Sequence, residues 1–161
     1  PPVHPPDPEA STMLVRLLYA SRTKSKPTPQ MIESILESSR KHNPDSGITG
    51  ILCHGGDVFL QVLEGGRDVV NALYNQIARD PRHRDVVILH YEEVTERRFA
   101  GWTMGQVNLA KVNASLLLKY SERATLDPYA VSGKVSMALL DELIATASIL
   151  GRASCAMPAQ T

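Results

Sequence analysis

The sequence predicts an α+β domain, and three observations predict it. Short apolar runs of strand length alternate with two stretches of helical periodicity in the order β-α-β-β-α-β-β. Glycine turn chemistry at Gly55-Gly56-Asp57 joins the second and third strands directly. A helical remainder then follows the last strand. That order is the split βαβ, or ferredoxin-like, arrangement with one strand added. Right-handed crossovers place both helices on one face of a five-stranded mixed sheet. The helices after residue 110 are then expected to pack on the other face.

The first strand is read over Leu14–Ala20, with Arg16, Leu18 and Ala20 on one side and Val15, Leu17 and Tyr19 on the other. A polar loop follows from Ser21 to Pro27. Thr28 is the expected N-cap of a helix with Pro29 at its first position. Ile32, Ile35, Leu36 and Ser39 mark its packed face. The helix is expected to end by Asn43, because Pro44 disfavours a helical residue before it. In the stretch Ile48–Gly65, Phe59, Gln61 and Leu63 share one face of the third strand. One neutral amide thus sits among large apolar groups, and its donors and acceptor need partners. Taken singly, Gln61 and Tyr19 are accounted for as core residues bonded to backbone. A second helix spans Arg67–Arg79, with Val70, Leu73, Tyr74 and Ile77 inward. The basic turn 80–84 leads to a strand over Val86–Val94. A last strand over Gly101–Leu109 places Trp102, Met104 and Gln106 on one face. A short helix over Ala114–Tyr120 and a longer one from Ser132 to Leu150 complete the chain, the latter with a stripe of Val135, Leu139, Leu143, Ala147 and Leu150.

Composition narrows the function. The 161 residues are 43% hydrophobic and 21% charged, which suits one globular domain. Lys+Arg and Asp+Glu both number 17, so no net charge draws the chain to nucleic acid or anionic lipid. Two cysteines without zinc spacing argue against a disulfide framework and a metal site. No apolar run reaches the roughly 18 residues of a membrane span and no signal peptide is visible, so a cytoplasmic location is expected. No GxGxxG follows the first strand and no P-loop is present. Residues 1–12 are proline-rich and read as a disordered leader, with Met13 as a natural start.

Several residues in combination resemble one family. They are Tyr19 and Ser21, His42-Asn43, Gly47-Ile48-Thr49-Gly50, Phe59 and Gln61 through Leu63-Glu64-Gly65, Asp80-Pro81-Arg82-His83, Arg98-Phe99, and Trp102 with Met104. This pattern, over residues 13–109, is similar to the BLUF domain, a blue-light sensor that uses flavin. Leu118-Lys119-Tyr120-Ser121 further resembles the short, stand-alone members with two C-terminal helices. The resemblance implies a flavin, FAD by family habit with FMN or riboflavin as alternatives, held noncovalently between the two crossover helices. It implies that Tyr19 donates to the excited flavin and that Gln61 bridges Tyr19 and the flavin edge. Asn43 and His42 would bond and flank the ring. Ile32, Ile35, Phe59, Arg82 and His83 would complete the cofactor site. Trp102 and Met104 would carry the switch. It implies a helical cap at 110–152, a flexible tail at 153–161, no enzymatic activity, a separate downstream effector protein and a homo-oligomer. The roughly 50 residues after the sensor region are too few for a cyclase or phosphodiesterase domain. Two other classes compete: a flavin-dependent reductase and a ferredoxin-like interaction module without a chromophore.

Overall fold

The computed structural model describes residues 13–146, 149 and 151. The leader and the tail expected at 1–12 and 153–161 lie outside the described residues. Five strands form one sheet: β1 (Leu14–Thr23), β2 (Thr49–Gly55), β3 (Val58–Gly66), β4 (His83–Val94) and β5 (Gly105–Asn108). Their order across the sheet is β4-β1-β3-β2-β5. The β1–β3, β1–β4 and β2–β3 pairs are antiparallel and β2–β5 is parallel, so the sheet is mixed as expected. Helices α1 (Pro29–Ser46) and α2 (Arg67–Arg79) are the two crossovers, and α3 (Ala114–Tyr120) and α4 (Gly133–Ala145) follow β5 after a short 3₁₀ turn.

The sheet separates two cores. On one face, Val15, Leu17, Tyr19, Phe59 and Leu63 pack with Ile32 and Leu36 of α1 and Val70 of α2. On the other, Leu18, Ala20, Leu60 and Val62 pack with Leu117 of α3 and Leu139, Leu140 and Leu143 of α4. The strand alternation read in β1 and β3 is therefore observed. Those three leucines of α4 have no exposed surface, and Val135 of the expected stripe is half-buried. Each leucine contributes about 1.5–3 kcal/mol of burial, whereas the Lys119–Glu142 ion pair lies at the surface, where solvent screens it. Apolar packing, not surface charge, holds the cap.

Local chemistry explains most boundaries. Thr28 accepts from the Met31 amide at 3.1 Å and Pro29 opens α1. Gly56, the first central residue of the β2–β3 turn, has φ of 57°, which suits a turn of type II′. Four expectations need correction. Helix α1 does not end by Asn43 but runs to Ser46 with Pro44 inside its last turn. There the missing amide forfeits only one bond, and Gly47 at φ 71° closes the helix. The Ile48 amide donates to the Asn43 carbonyl at 3.0 Å and the Gly47 amide to Pro44 at 3.3 Å, which is the Schellman pairing. Strand β1 continues through Thr23 and β4 begins at His83, because the two pair as far as Thr23 and His83. Helix α4 ends at Ala145, with Thr146 bonding back to the Glu142 carbonyl; Ala147 and Leu150 lie outside the described residues. Finally, β5 covers only Gly105–Asn108, so Trp102 and Met104 precede it in an irregular segment.

The cap closes tightly on β4. A Cβ on Gly133 would stand 2.1 Å from the Leu89 carbonyl oxygen, a backbone atom that cannot step aside alone. Gly133→Ala is expected to cost about 1–3 kcal/mol, read as a lower thermal midpoint.

Candidate functional site

A cleft of about 690 Å³ opens between α1, α2 and the sheet. Ile35, His42 and Asn43 of α1, Leu73 and Ile77 of α2, and Tyr19, Leu52, Phe59 and Gln61 of the sheet line it, with Arg82 and His83 at one end. Its size and mixed lining fit a small heteroaromatic ligand. Of the residues expected at the site, Ile32 alone among the α1 and sheet positions stands back from the wall, packed in the core behind it.

Tyr19 and Gln61 lie directly opposite each other on β1 and β3, the pairing that brings their side chains together on one face. The Tyr19 hydroxyl donates to Gln61 Oε1. Gln61 Nε2 donates to Met104 Sδ at 3.2 Å. Both residues are buried, at 2% and 5% exposure. Burial pushes the Tyr19 phenol well above its ordinary value, with the Tyr74 ring and Asp80 adding to it, so it stands as a neutral donor. Tyr74 meets Tyr19 edge-on at 5.8 Å between ring centres. An amide has two N–H groups and two lone pairs, and Tyr19 and Met104 take one of each from Gln61. One N–H and one lone pair remain for the cleft.

Asn43 behaves in the same way. It does not cap its helix; it is 5% exposed and donates to the Thr103 carbonyl at 2.7 Å. Its Oδ1 and second N–H remain for the cleft. His42 is exposed on the rim and Ile35 half-buried on the wall. Phe59 and His83 stack obliquely at 5.6 Å. His83 Nδ1 pairs with the Ser21 hydroxyl at 3.1 Å. Arg82 is held by Asp80, at 2.7 Å from Nη2 to Oδ2, and that bond draws the Asp80 carboxyl down to about 2.

Trp102 and Met104 do not share a face, contrary to the strand expected there. Trp102 packs into the cap core with Phe99, while Met104 joins the cleft-side core and touches Gln61. The reason is that the segment before β5 bonds to distant groups rather than to a ladder. The Gly50 amide donates to the Trp102 carbonyl at 2.9 Å, and Asn43 Nδ2 donates to that of Thr103. Sequence reading also missed this tether of Asn43 and the cleft-lining Leu52 and Leu73; only the parity of Leu52 on β2 pointed to the wall.

Two imidazoles make the fold sensitive to acid. Burial holds His83 below its ordinary 6.5, opposed by Asp80 and aided by Arg82, and burial with Lys111 does the same for His54. Below about pH 6.5 the unfolded chain therefore binds more protons than the folded one, and stability is lost as pH falls. Thermal midpoints are expected to drop between about pH 7 and pH 5, and His54→Gln with His83→Gln to flatten that slope.

A phenol, two half-used amides and a cleft of mixed lining define a site for a flat ring with a hydrogen-bonding edge. The sequence profile described as "Sensors of blue-light using FAD", that of the BLUF family, matches residues 14–105. The chain belongs to the BLUF family. It is 35% identical over 94 residues to photoactivated adenylate cyclase subunit beta of Euglena gracilis, covering 58% of this chain and 11% of that protein. It is 36% identical over 87 residues to the blue light- and temperature-regulated antirepressor BluF of Escherichia coli (strain K12), covering 54% and 22%. The chain thus spans a minor part of both curated relatives. The dark-state structure of BlrB, a BLUF protein, superposes with a TM-score of 0.72 at 32% identity, covering 85% of this chain and 98% of BlrB.

The site fits the flavin that the family uses. The flavin ring edge alternates carbonyl acceptors with one N–H donor, and the free amide valences of Gln61 and Asn43 offer donors and acceptors to match. Among the described residues no cluster could hold a metal ion, and no helix is long and apolar enough to cross a membrane.

Proposed function

We propose that this chain is a blue-light photoreceptor in which light rearranges the hydrogen bonds of Tyr19 and Gln61 against a noncovalent flavin. The observation that carries this reading is the pair Tyr19–Gln61 at the wall of the cleft, backed by Met104 behind Gln61. Bound flavin supplies the absorption of blue light and, once excited, an acceptor for an electron and a proton. Tyr19 releases both and recovers them, so the resting redox state is unchanged. During that exchange the Gln61 amide reverses which end faces the cleft, by rotation or tautomerism. Its N–H would then face the cleft, where it could bond a carbonyl of the flavin ring edge, the change that would move absorption to the red. Asn43 keeps the ring in place from the other side, His42 flanks it, and Phe59, Ile35, Ile32 and His83 shape the apolar surround. FAD is the expected form, with FMN and riboflavin as alternatives. Arg82 serves a phosphate only while shared with Asp80, which already holds it.

Signalling follows from Met104. A reversed Gln61 no longer offers the same N–H to its sulfur, so the segment before β5 re-seats and the change reaches the cap, residues 110–152. The chain itself performs no catalysis in this reading and acts on a separate effector protein. Leu139, Leu140 and Leu143 of α4 are buried within this chain, and the exposed Val87, Ile88 and Tyr91 of the edge strand β4 are an apolar surface that suits self-association.

An absorption spectrum of flavin-loaded protein before and after blue illumination tests the reading. A reversible red shift is expected, with no bleaching by NAD(P)H in the dark. A preparation that takes up no flavin, or one bleached by NAD(P)H without a light-driven shift, overturns it.

A further inference from the structure

On the cap side of the sheet, a complete ionic anchor lies three residues along β3 from Gln61. Glu64 has no exposed surface. Its Oε2 accepts from Arg16 Nε at 2.7 Å and from the Arg98 amide at 2.9 Å, and its Oε1 accepts from the Phe99 amide at 2.6 Å. Arg16, which is 3% exposed, also donates through Nη1 to Glu92 Oε1 at 2.6 Å. A buried carboxylate survives only when its oxygens are paired in this way.

The two amides it holds open the segment that ends at Met104. Phe99 starts on the cap side, and five residues on, Met104 emerges on the cleft side against Gln61. Gln61 and Glu64 point to opposite faces of the same strand. A short closed circuit results: Gln61 to Glu64 through β3, Glu64 to Phe99, Phe99 to Met104, and Met104 back to Gln61. Because the circuit is short, the place where the sulfur meets the amide depends on where the carboxylate holds the backbone. Arg98 also reaches Asp141 of α4 at 2.9 Å, so the same residue faces the cap.

We infer that Glu64 is a positioning residue for the photochemical switch, setting through the Arg98 and Phe99 amides where Met104 meets Gln61. This rests on the photoreceptor reading above. A neutral amide at position 64 would turn a donor toward one of the two backbone N–H groups and loosen the segment without touching the cleft.

The test is Glu64→Gln in flavin-loaded protein, compared with Leu139→Ala, a buried cap residue that makes none of the circuit's hydrogen bonds. Glu64→Gln is expected to bind flavin and form the red-shifted product, while its dark recovery changes by about tenfold or more, as loss of one hydrogen bond to a charged group implies. The emission of Trp102, the chain's single tryptophan, is expected to move with it. Leu139→Ala is expected to lower the thermal midpoint and leave recovery within about twofold. Equal recovery in the two variants overturns the inference, because a purely structural role would affect only stability. Should Glu64→Gln not fold, Glu64→Asp keeps the charge opposite Arg16 and draws the oxygen from Phe99, and the same split is expected. In the wild-type chain, the Arg98 and Phe99 amides are expected to resist hydrogen exchange as β3 does; exchange as fast as in residues 95–97 also overturns it. A wild type that binds flavin but shows no light-driven shift removes the photoreceptor reading, and the exchange result still decides whether Glu64 holds the segment.

Discussion

Tyr19→Phe is expected to bind flavin, remain yellow and form no red-shifted product under blue light. The substitution deletes one oxygen and leaves the ring packed against Tyr74 and the β1 core. Tyr19 makes its hydrogen bond to Gln61 rather than to the main chain, so its removal leaves Gln61 Oε1 without its donor. The stability cost is about 1 kcal/mol, or roughly 2–4 °C in thermal midpoint for a chain of this size. Flavin affinity should weaken by no more than about fivefold, the equivalent of one hydrogen bond. The photochemical effect is of another order, because phenylalanine has no labile proton and is a poor electron donor. Transient absorption and a light-minus-dark spectrum check this. A normal red shift in this variant would show that another residue supplies the electron and the proton.

The second large effect is that of Gln61→Leu. Leucine fills similar volume in the apolar face of Phe59 and Leu63 but has neither donor nor acceptor. The Tyr19 hydroxyl is then buried without its partner, at a cost of about 1–3 kcal/mol. Met104 loses its donor as well. Electron transfer from Tyr19 remains possible, yet nothing can reverse its hydrogen bonding, so no lasting shift should follow. The two variants separate roles: fast flavin quenching is expected to survive in Gln61→Leu and to be lost in Tyr19→Phe. A persistent red shift in Gln61→Leu would contradict the amide's part.

The face shared by Tyr19, Phe59, Gln61 and Leu63 was legible because strand alternation is strict. Alternation assigns a side but not a neighbour. That Tyr19 sits opposite Gln61 came from the β1–β3 register, which follows from the whole sheet. The helix spans at 67–79 and 114–120 were also legible from periodicity. The run past Pro44 was not, since a proline in the last turn loses only one bond and Gly47 supplies the true stop. The opposite seating of Trp102 and Met104 was hidden for a different reason. Their segment is held by Glu64, Asn43 and Gly50, which no local pattern connects to it. One signal was present. Arg16 and Glu64 are charged residues inside otherwise apolar strands, and two such intrusions of opposite sign suggest a buried pair.

The central claim is that light moves a donor onto the flavin carbonyl edge through the Tyr19–Gln61 contact. An infrared light-minus-dark spectrum of flavin-loaded protein tests it most directly, because a carbonyl that gains a hydrogen bond vibrates at lower frequency. A downshifted flavin C4 carbonyl band in the lit state, absent from Gln61→Leu, is the expected result. An unmoved carbonyl band alongside a genuine light-driven absorption change would contradict the account.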